Sequence, residues 1–317
     1  MQVQDQAAFT GIVERHRREL QVHCYRMLGS FEESEDLVQE TFLRAWRRRE
    51  SFEGRSTLRT WLYRIATNAC LDALHRRPTG KVVADGPEVA WLQPFPDRLL
   101  EEIPDAEAEP DAAVVSKETI ELAFLVAIQH LPPKQRAVLI LRDVLGWPAK
   151  ETGALMEASV ASVNSALQRA RATMKERLPE RRTEWGAGTD PTAAERALLD
   201  RYVEATEKAD AQAFVEMLGE DARFSMPPEP GVWVGGEAIV ASWAEGGAFD
   251  LEAFGHMRGI VTRANRQPVV ACYLRKPGMD HYAPMALDVL KVEEGQLTEI
   301  VTFPPTLFPA FDLPAKL

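Results

Sequence analysis

The sequence predicts a multidomain protein in which two all-α blocks precede a domain that mixes helices and strands. Apolar residues recur at helical spacing within residues 1–78 and 118–184, whereas residues 257–303 contain segments in which apolar and polar residues alternate. Residues 79–117 are rich in proline, aspartate and glutamate, a composition typical of a tether. We therefore expect two helical domains, an acidic linker and an α+β domain over residues 190–317.

Charge is unevenly distributed along the chain. Residues 1–78 carry 13 basic and 11 acidic side chains, and residues 120–183 carry 10 and 6. Residues 79–113 carry 2 and 9, and residues 190–317 carry 11 and 20. The net charge of −11 therefore conceals two weakly basic blocks in which contact with nucleic-acid phosphates is permitted.

The sequence offers no feature that indicates a membrane or an oxidising compartment. We expect neither a membrane span nor a signal peptide, because no apolar window or leader pattern is long enough. Cys24, Cys70 and Cys272 are odd in number and far apart. We expect reduced, buried thiols in a cytoplasmic protein, without a disulfide, a metal site or a cofactor.

The helix predicted over residues 35–47 has two different faces. Val38, Phe42, Ala45 and Trp46 lie on an apolar side. Another side carries Asp36, Gln39, Glu40, Leu43 and Arg44. A solvated surface explains such a face, but an apolar leucine among charges is also typical of a surface on which another protein docks.

A second helix, which follows residue 57, groups hydrogen-bond donors on one side. Its predicted buried stripe is Leu58, Leu62, Ile65, Ala69 and Ala73. A different face carries Arg64, Asn68, Leu71 and His75, with Arg59, Arg76 and Arg77 near the ends. Such donors suit phosphates and base edges. We predict that Trp61 belongs to the core, the alternative being a platform on which an unpaired base stacks.

Residues 35–46 (EDLVQETFLRAW) and 60–68 (TWLYRIATN) resemble region 2 of the sigma-70 family, of the extracytoplasmic-function (ECF) type. The resemblance implies that the first segment docks on core RNA polymerase through Asp36, Gln39, Glu40, Leu43 and Arg44. It implies that the second segment reads and opens the minus-10 promoter element through Arg59, Arg64, Asn68, Arg76 and Arg77. The loop over residues 52–56 corresponds to the family segment that captures an extruded base.

The second block is predicted to end in a helix-turn-helix. Helices are expected over residues 120–131, 135–145, 148–156 and 160–178. In the last helix the predicted buried side is Val163, Leu167, Ala170 and Met174. Arg171 lies nearer the edge of the core, so we expect it to pair within the domain. An ordinary solvated helix is the alternative for this pattern.

Residues 131–139 (LPPKQRAVL) and 162–171 (SVNSALQRAR) resemble sigma region 4, which in the family reads the minus-35 element. The contacts that the resemblance implies here are Ser162, Asn164, Ser165, Gln168 and Arg169. The family often has basic residues where this chain has Asn164 and Ala166. We therefore expect fewer phosphate contacts than in a typical member.

Within the linker, residues 91–100 (WLQPFPDRLL) form an aromatic and proline cluster. We predict that it docks on a neighbouring domain, with a loosely held linker as the alternative.

The C-terminal part is predicted to contain helices near residues 192–208, 210–218 and 236–244. Strands are expected near 257–264, 268–275, 284–293 and 296–303. The segments 198–205 (LLDRYVEA), 221–228 (DARFSMPP) and 286–295 (ALDVLKVEEG) are similar to SnoaL-like domains, which implies an NTF2-like cone fold.

That superfamily includes isomerases and cyclases, so a ligand pocket must be considered. Candidate residues are His256, Tyr273 and Asp288, and an apolar cavity is expected to raise the pKa of Asp288. Each of the three also has a plain structural interpretation, and we assign no catalytic residue.

The interpretation that best fits these patterns is a non-enzymatic sigma factor with a C-terminal domain that regulates it in cis. Its expected partners are core RNA polymerase and promoter DNA. The C-terminal domain would replace or supplement an anti-sigma protein. A bifunctional protein that binds or turns over a small molecule, and a repressor that works without polymerase, are the alternatives.

Overall fold

The computed structural model describes residues 6–52, 54, 56–76, 92–101, 122–177, 192–229 and 231–317. These residues divide into two compact units. The first contains the described residues up to Gln93 and those from Leu99 to Arg177, and the second contains Pro94–Arg98 and the described residues from Thr192 onward. No helix in the described part of the chain is long and apolar enough to cross a membrane.

The first unit begins with a helical block. Its helices are α1 (Gln6–Glu14), α2 (Arg17–Leu28), α3 (Phe31–Arg47) and α4 (Leu58–Arg76), with a 3-10 turn at Arg49–Ser51. Gly29 ends α2 in the left-handed conformation, at φ 70°, which glycine adopts without a Cβ clash. Ser30 then begins α3, because its Oγ accepts a hydrogen bond from the Glu33 N–H at 3.2 Å. The result is a tight turn between neighbouring helices.

A second helical block completes the first unit. After the short helix α5 (Arg98–Glu101) come α6 (Leu122–Gln129), α7 (Pro133–Leu139), α8 (Ala149–Met156) and α9 (Val160–Arg177). The segment after α7, Ile140–Val144, is a π-helical turn and not the continuous α-helix that the sequence predicts. Helices α8 and α9 form the expected helix-turn-helix.

The turn between α8 and α9 depends on a close approach. A Cβ on Gly153 would lie 2.7 Å from the Ala158 carbonyl oxygen, so a side chain at this position would force the two helices apart. Glu157 ends α8 in the left-handed conformation, at φ 53°.

The two blocks share one hydrophobic core. Helices α6 and α7 pack against α2 and α4. Leu20 and Leu62 of the first block and Ile128 and Leu141 of the second are fully buried in the same cluster. Because so much apolar surface is common to both blocks, they form a single compact body in this state.

The second unit is an α+β domain, as predicted. Its helices are α10 (Ala193–Lys208), α11 (Ala211–Met217) and α12 (Gly236–Glu245). Its strands are β1 (Leu218–Ser225), β2 (Trp233–Val234), β3 (His256–Ala264), β4 (Gln267–Arg275), β5 (Ala283–Glu293) and β6 (Gln296–Phe303), followed by a 3-10 turn at Pro305–Phe311. The sheet order is β2-β1-β6-β5-β4-β3.

The sheet is mixed, because β1 pairs with β6 in parallel and the other pairs are antiparallel. The sequence does not predict β1 or β2. In β1 the buried and exposed residues do not alternate, and its pairing with β6 shifts register between Leu218 and Arg223. The period of two that identifies a strand is therefore missing there.

Pro94–Arg98 forms an added edge of the second unit. The Phe95 side chain is fully buried, its N–H donates to Asn265 Oδ1 at 2.9 Å and its carbonyl accepts from the Asn265 N–H at 3.0 Å. Pro96 makes an antiparallel bridge with Ala264 at the end of β3. The prediction that the aromatic and proline cluster docks is confirmed for these residues, whereas Trp91 lies outside the described residues.

Polar contacts reinforce this docking. Asp97 accepts from the Arg266 N–H at 3.0 Å, and its Oδ2 lies 3.5 Å from Arg263 Nε. Burial raises the pKa of Asp97, and the hydrogen bond from Arg266 opposes that rise. In the first unit, Gln93 donates its backbone N–H to the Gly29 carbonyl at 2.9 Å.

Candidate functional site

The predicted docking face on α3 is open to solvent. Asp36, Gln39 and Leu43 are exposed, and Leu43 retains 51% of its surface. Arg44 Nε donates to Glu40 Oε1 at 2.8 Å, and its Nη1 lies 3.3 Å from Asp72 Oδ2 on α4. The face therefore combines an accessible leucine with charged and polar side chains, as the sequence predicts.

A cavity of about 600 Å³ opens beside α4. Its lining includes Arg48, Phe52, Trp61, Arg64, Asn68 and Glu157. The rings of Phe52 and Trp61 lie 5.2 Å apart between centroids, and Trp61 is only partly buried. Aromatic rings among cations suit a planar group attached to phosphates.

Not all of the donors predicted on α4 are available. Arg59 Nε donates to Glu19 Oε2 at 2.7 Å, and its guanidinium lies 5.1 Å from the Tyr63 ring centroid. Burial raises the pKa of Glu19, but hydrogen bonds from His16 and Arg59 outweigh it and hold that pKa below its usual value. Arg76 is exposed, whereas Arg77 lies outside the described residues.

The predicted faces of α4 need one correction. Leu71 was expected beside the donors, but it is buried. The reason is that α4 is covered on more than one side, since Tyr63, Thr67 and Cys70 are buried as well. Of the predicted stripe, Leu62, Ile65 and Ala69 are buried, whereas Leu58 and Ala73, near the ends of the helix, are only partly buried. A single apolar stripe describes a helix with one covered face only.

A buried polar pair lies behind the donor face of α4. His23 on α2 places its Nε2 2.9 Å from Thr67 Oγ1, and His23 Nδ1 has no hydrogen-bond partner among the described residues. Burial, together with the nearby Arg26 charge, lowers the pKa of His23 to about 3. His23 is therefore neutral at physiological pH.

Helix α9 has the two faces that the sequence predicts. Val163, Leu167, Ala170 and Met174 are buried. Ser162, Asn164, Ser165, Gln168 and Arg169 are all exposed. Arg171 makes a bidentate pair with Asp143, at 2.7 and 2.8 Å, which confirms that it pairs within the domain.

In the second unit Asp288 is buried among hydrogen-bond donors. It accepts from Thr302 Oγ1 at 2.6 Å, from Tyr202 Oη at 3.0 Å and from Cys272 Sγ at 3.2 Å. Burial raises the pKa of Asp288, against the opposing effect of these hydrogen bonds. The predicted direction of the shift is confirmed.

The three predicted pocket residues do not meet. Asp288 is paired across the sheet with Val270 and Thr302, on the face covered by the helices. Tyr273 follows Cys272 in β4 and points to the other face, where its ring lies 5.1 Å from that of Phe308. His256 is paired with Arg275, which is two residues after Tyr273 in β4 and therefore projects to the same face as Tyr273. A common pocket for the three is therefore not formed.

No group of acidic, histidine or cysteine side chains in the described ranges is arranged to hold a metal ion. Cys24, Cys70 and Cys272 are free and buried.

Comparison with known proteins decides the family. Residues 12–78 match the model of sigma-70 region 2, and residues 121–174 match that of sigma-70 region 4. Over 98% of its length the chain is 42% identical to the ECF RNA polymerase sigma factor SigG of Mycobacterium tuberculosis (strain H37Rv), and it covers 85% of that protein. The chain belongs to the ECF sigma factors of the sigma-70 family.

Two further likenesses agree with that assignment. SigW of Bacillus subtilis (strain 168), an ECF RNA polymerase sigma factor, is 32% identical over 55% of this chain and 90% of its own length. The crystal structure of SigJ, an ECF sigma factor of Mycobacterium tuberculosis, matches with a TM-score of 0.56 and 22% identity, over 96% of this chain and 99% of that one. The second likeness shows a common fold.

In this ECF sigma factor, regions 2 and 4 are packed together. The ring centroids of Tyr63 in region 2 and Trp147 in region 4 lie 5.5 Å apart. The buried Arg136 guanidinium donates to the Met27 carbonyl, and Gln129 Nε2 donates to the Arg26 carbonyl at 3.2 Å. We call this arrangement the closed unit.

The closed unit brings a region 4 carboxylate to the region 2 cavity. Arg64 Nη2 lies 3.3 Å from Glu157 Oε1, and Glu157 lines the cavity beside α4. Sequence reasoning missed Glu157, because its partner is 93 residues away and no local pattern links them.

Proposed function

We propose that this sigma factor recruits core RNA polymerase through α3 and places α4 on the minus-10 element and α9 on the minus-35 element. The proposal for α3 rests on the exposed Leu43, flanked by Asp36, Gln39, Glu40 and Arg44. An apolar side chain that keeps half its surface in water gains free energy when a partner covers it.

The observation that carries the proposed minus-10 role is the cavity beside α4. Arg64 and Asn68 supply donors at its wall, and Trp61 with Phe52 supplies aromatic surface. A base that leaves the duplex must exchange stacking on its neighbours for stacking on protein, and these rings offer that exchange. Arg59 and Arg76 then serve as flanking phosphate contacts, and Arg59 must leave Glu19 to do so.

The proposed minus-35 reader is the exposed face of α9. Short polar side chains, Ser162, Asn164 and Ser165, lie at its N-terminal end, where helix-turn-helix proteins approach base edges. Gln168 and Arg169 extend the face toward the phosphates.

Promoter binding requires the closed unit to open. The two elements are about 80 Å apart along a duplex, judged from their positions and the helical repeat. In the closed unit, by contrast, an α4 donor and the turn before α9 are separated by 3.3 Å. We infer that regions 2 and 4 separate when the factor assembles with polymerase on DNA.

We further propose that the C-terminal SnoaL-like domain regulates the factor in cis. What supports this is the capture of Pro94–Arg98, a part of the linker between regions 2 and 4, by the second unit. A linker held at Phe95 and Asp97 has a shorter free length with which to separate the two regions. The domain would in this way replace or supplement an anti-sigma protein, in a factor that acts in the cytoplasm.

Run-off transcription with purified core polymerase and promoter fragments tests both proposals. Wild-type protein should direct initiation at specific start points, and Leu43→Ala/Glu40→Ala should weaken capture of core enzyme. The variant Phe95→Ala/Asp97→Asn, which frees the linker, should raise the amount of specific transcript, because the two regions can then separate more easily. Initiation no better than with core enzyme alone would refute the first proposal, and unchanged transcript in the linker variant would refute the second.

A second candidate function is small-molecule binding or turnover in the C-terminal domain. The observation that favours it is Asp288, a buried carboxylate with a raised pKa beside Tyr202 and Cys272. Ligand binding or turnover that is lost in Asp288→Ala and kept in the exposed-site variant Asp200→Ala would support it.

A further inference from the structure

One face of the outer strands of the C-terminal sheet gathers cations. In the register of β3 with β4, His256 is opposite Arg275 and Arg258 is opposite Tyr273. Opposed residues of an antiparallel pair project to the same face, so His256, Arg258 and Arg275 share one side of the sheet. This side is opposite to the face that holds Asp288.

Both arginines converge on one aromatic ring. The guanidinium carbon of Arg258 lies 4.9 Å from the Tyr282 ring centroid and that of Arg275 lies 5.0 Å from it. Tyr282 is itself held in place, because its backbone exchanges hydrogen bonds of 2.9 and 3.0 Å with Leu317. The two positive charges are therefore positioned by the fold.

The donors of the two guanidinium groups are unused within the described part of the chain. Among the described residues neither Arg258 nor Arg275 makes an ion pair or a hydrogen bond, and the nearby Asp280 is engaged with His281 at 2.8 Å. By contrast, Arg201 of the same unit is paired with Glu216. Two like charges held against one ring repel each other, and an external anion bound between them would reduce that repulsion.

The chemistry selects a phosphate as that anion. Guanidinium groups present planar forks of N–H donors that match phosphate oxygens, and both forks here keep their donors unused within the described part of the chain. The two guanidinium carbons lie no more than about 10 Å apart. Successive phosphates of a DNA strand, about 3.4 Å apart along the axis, fall within that span.

We propose that Arg258 and Arg275, supported by Tyr282, bind the phosphate backbone of promoter DNA and give this sigma factor a third DNA contact, in its C-terminal domain. The contact is independent of base sequence. The inference rests on the proposed promoter-binding function.

The test compares two variants of the full-length chain that lose the same charge. Arg258→Gln/Arg275→Gln removes the two cations at Tyr282. The control, Arg201→Gln/Lys208→Gln, removes two cations of the same unit that are paired with Glu216 and Glu204. Each is assembled with core polymerase on a fragment that supports run-off transcription by the wild type, and binding is measured by fluorescence anisotropy at several salt concentrations.

Each phosphate contact contributes about 0.9 to the slope of log affinity against log salt. The Arg258/Arg275 variant should therefore lose about 1.8 from that slope, so that its deficit in affinity grows roughly 60-fold between 1 M and 0.1 M salt. The control should keep the wild-type slope.

Equal slopes in the two variants would overturn the proposal. So would a loss of affinity for core polymerase in the absence of DNA together with an unchanged slope, because the cluster would then bind an acidic protein surface. If the wild-type chain supports transcription from no fragment, the sigma-factor function itself fails, and the two failures are thereby distinguished. Thermal unfolding of both variants verifies that they are folded.

Discussion

Helices α4 and α9, the two proposed promoter readers, differ in how much of their reading face is available. On α9 the five predicted contacts are exposed, and Arg171, which pairs with Asp143 inside the domain, lies off that face. On α4, Arg64 is paired with Glu157 and Arg59 with Glu19. The closed unit thus leaves the minus-35 reader open and holds the minus-10 reader against a region 4 carboxylate.

This difference suggests an order of events. A free factor in the closed state can present α9 to DNA, whereas α4 must first exchange a carboxylate for nucleic acid. A carboxylate occupies the position that a phosphate would take, so the closed-unit contact with Glu157 and the proposed minus-10 binding compete for the same cation, Arg64. The comparison makes the contact between regions 2 and 4 the feature to perturb.

The largest expected effect is that of Trp147→Ala. It removes a buried indole from the shared core, next to Tyr63, and should lower the unfolding free energy of the first unit by about 3 to 5 kcal/mol. Urea unfolding measures the loss. The control Trp243→Ala, in the second unit, should leave that transition in place. A decrease in unfolding free energy of less than about 1 kcal/mol would mean that the two regions do not share a core.

Arg169→Ala separates base reading from general charge on α9. It should weaken minus-35 binding by about 1 to 3 kcal/mol if Arg169 reads a base. The control is Arg171→Ala, two residues away, which removes the same charge from a side chain already paired with Asp143. Binding is measured on duplexes with intact and scrambled elements. An equal loss on both duplexes would reassign Arg169 to the phosphates.

Acid should destabilise the first unit through His23, which lies behind α4. Because burial lowers the pKa of His23 to about 3, the folded state resists protonation that the unfolded chain accepts below about pH 6.5. Stability from this group is present above pH 6.5 and is lost as pH falls, by about 2 kcal/mol at pH 5.

The variant His23→Gln has no imidazole to protonate. Its unfolding free energy should therefore fall by about 2 kcal/mol less than that of the wild type when the pH is lowered to 5. The buried stripe of α9 has no titratable side chain, so its packing gives no such signal. Unfolding at pH 7 and pH 5 checks this, and identical pH dependence in wild type and variant would refute it.

The smallest expected effect is that of Glu157→Gln. Both members of the Glu157–Arg64 pair are well exposed, so the pair contributes about 0.2 to 1 kcal/mol. Minus-10 fork DNA should bind up to about fivefold more tightly to the variant, while minus-35 duplex binding stays constant. Glu151→Gln, on the same helix, is the matched control. Tighter binding to both DNAs would indicate a general charge effect instead of a local one.

Local sequence patterns predicted the features that depend on a single face of a helix. The buried and exposed sides of α9 follow from a period of 3.6 residues, and Arg171 was assigned to an internal pair from its position alone. The same reasoning misplaced Leu71, because α4 is covered on several sides. It also missed β1, whose residues do not alternate.

The sequence predicts that the linker cluster around Phe95 docks, but it does not identify the partners that distant segments contact. Nothing near Glu157 indicates Arg64, and nothing near Asp288 indicates that Tyr202 and Cys272 surround it while His256 does not. Successive residues of a strand project to opposite faces, so Cys272 and Tyr273 of β4 lie on opposite faces of the sheet. Once the register of β4 with β5 is known, Asp288 falls on the face of Cys272, and a pocket that combines Asp288 with Tyr273 is excluded.

The placement of Phe95 has a consequence for how the protein is made. Its partner Asn265 follows 170 residues later, so at ribosomal rates this phenylalanine emerges on the order of ten seconds or more before its binding site exists. During that interval an apolar ring is available to chaperones. A C-terminal fragment expressed from residue 190 would have the opposite defect, an empty slot beside Asn265, and addition of a synthetic peptide spanning residues 92–99 should fill it.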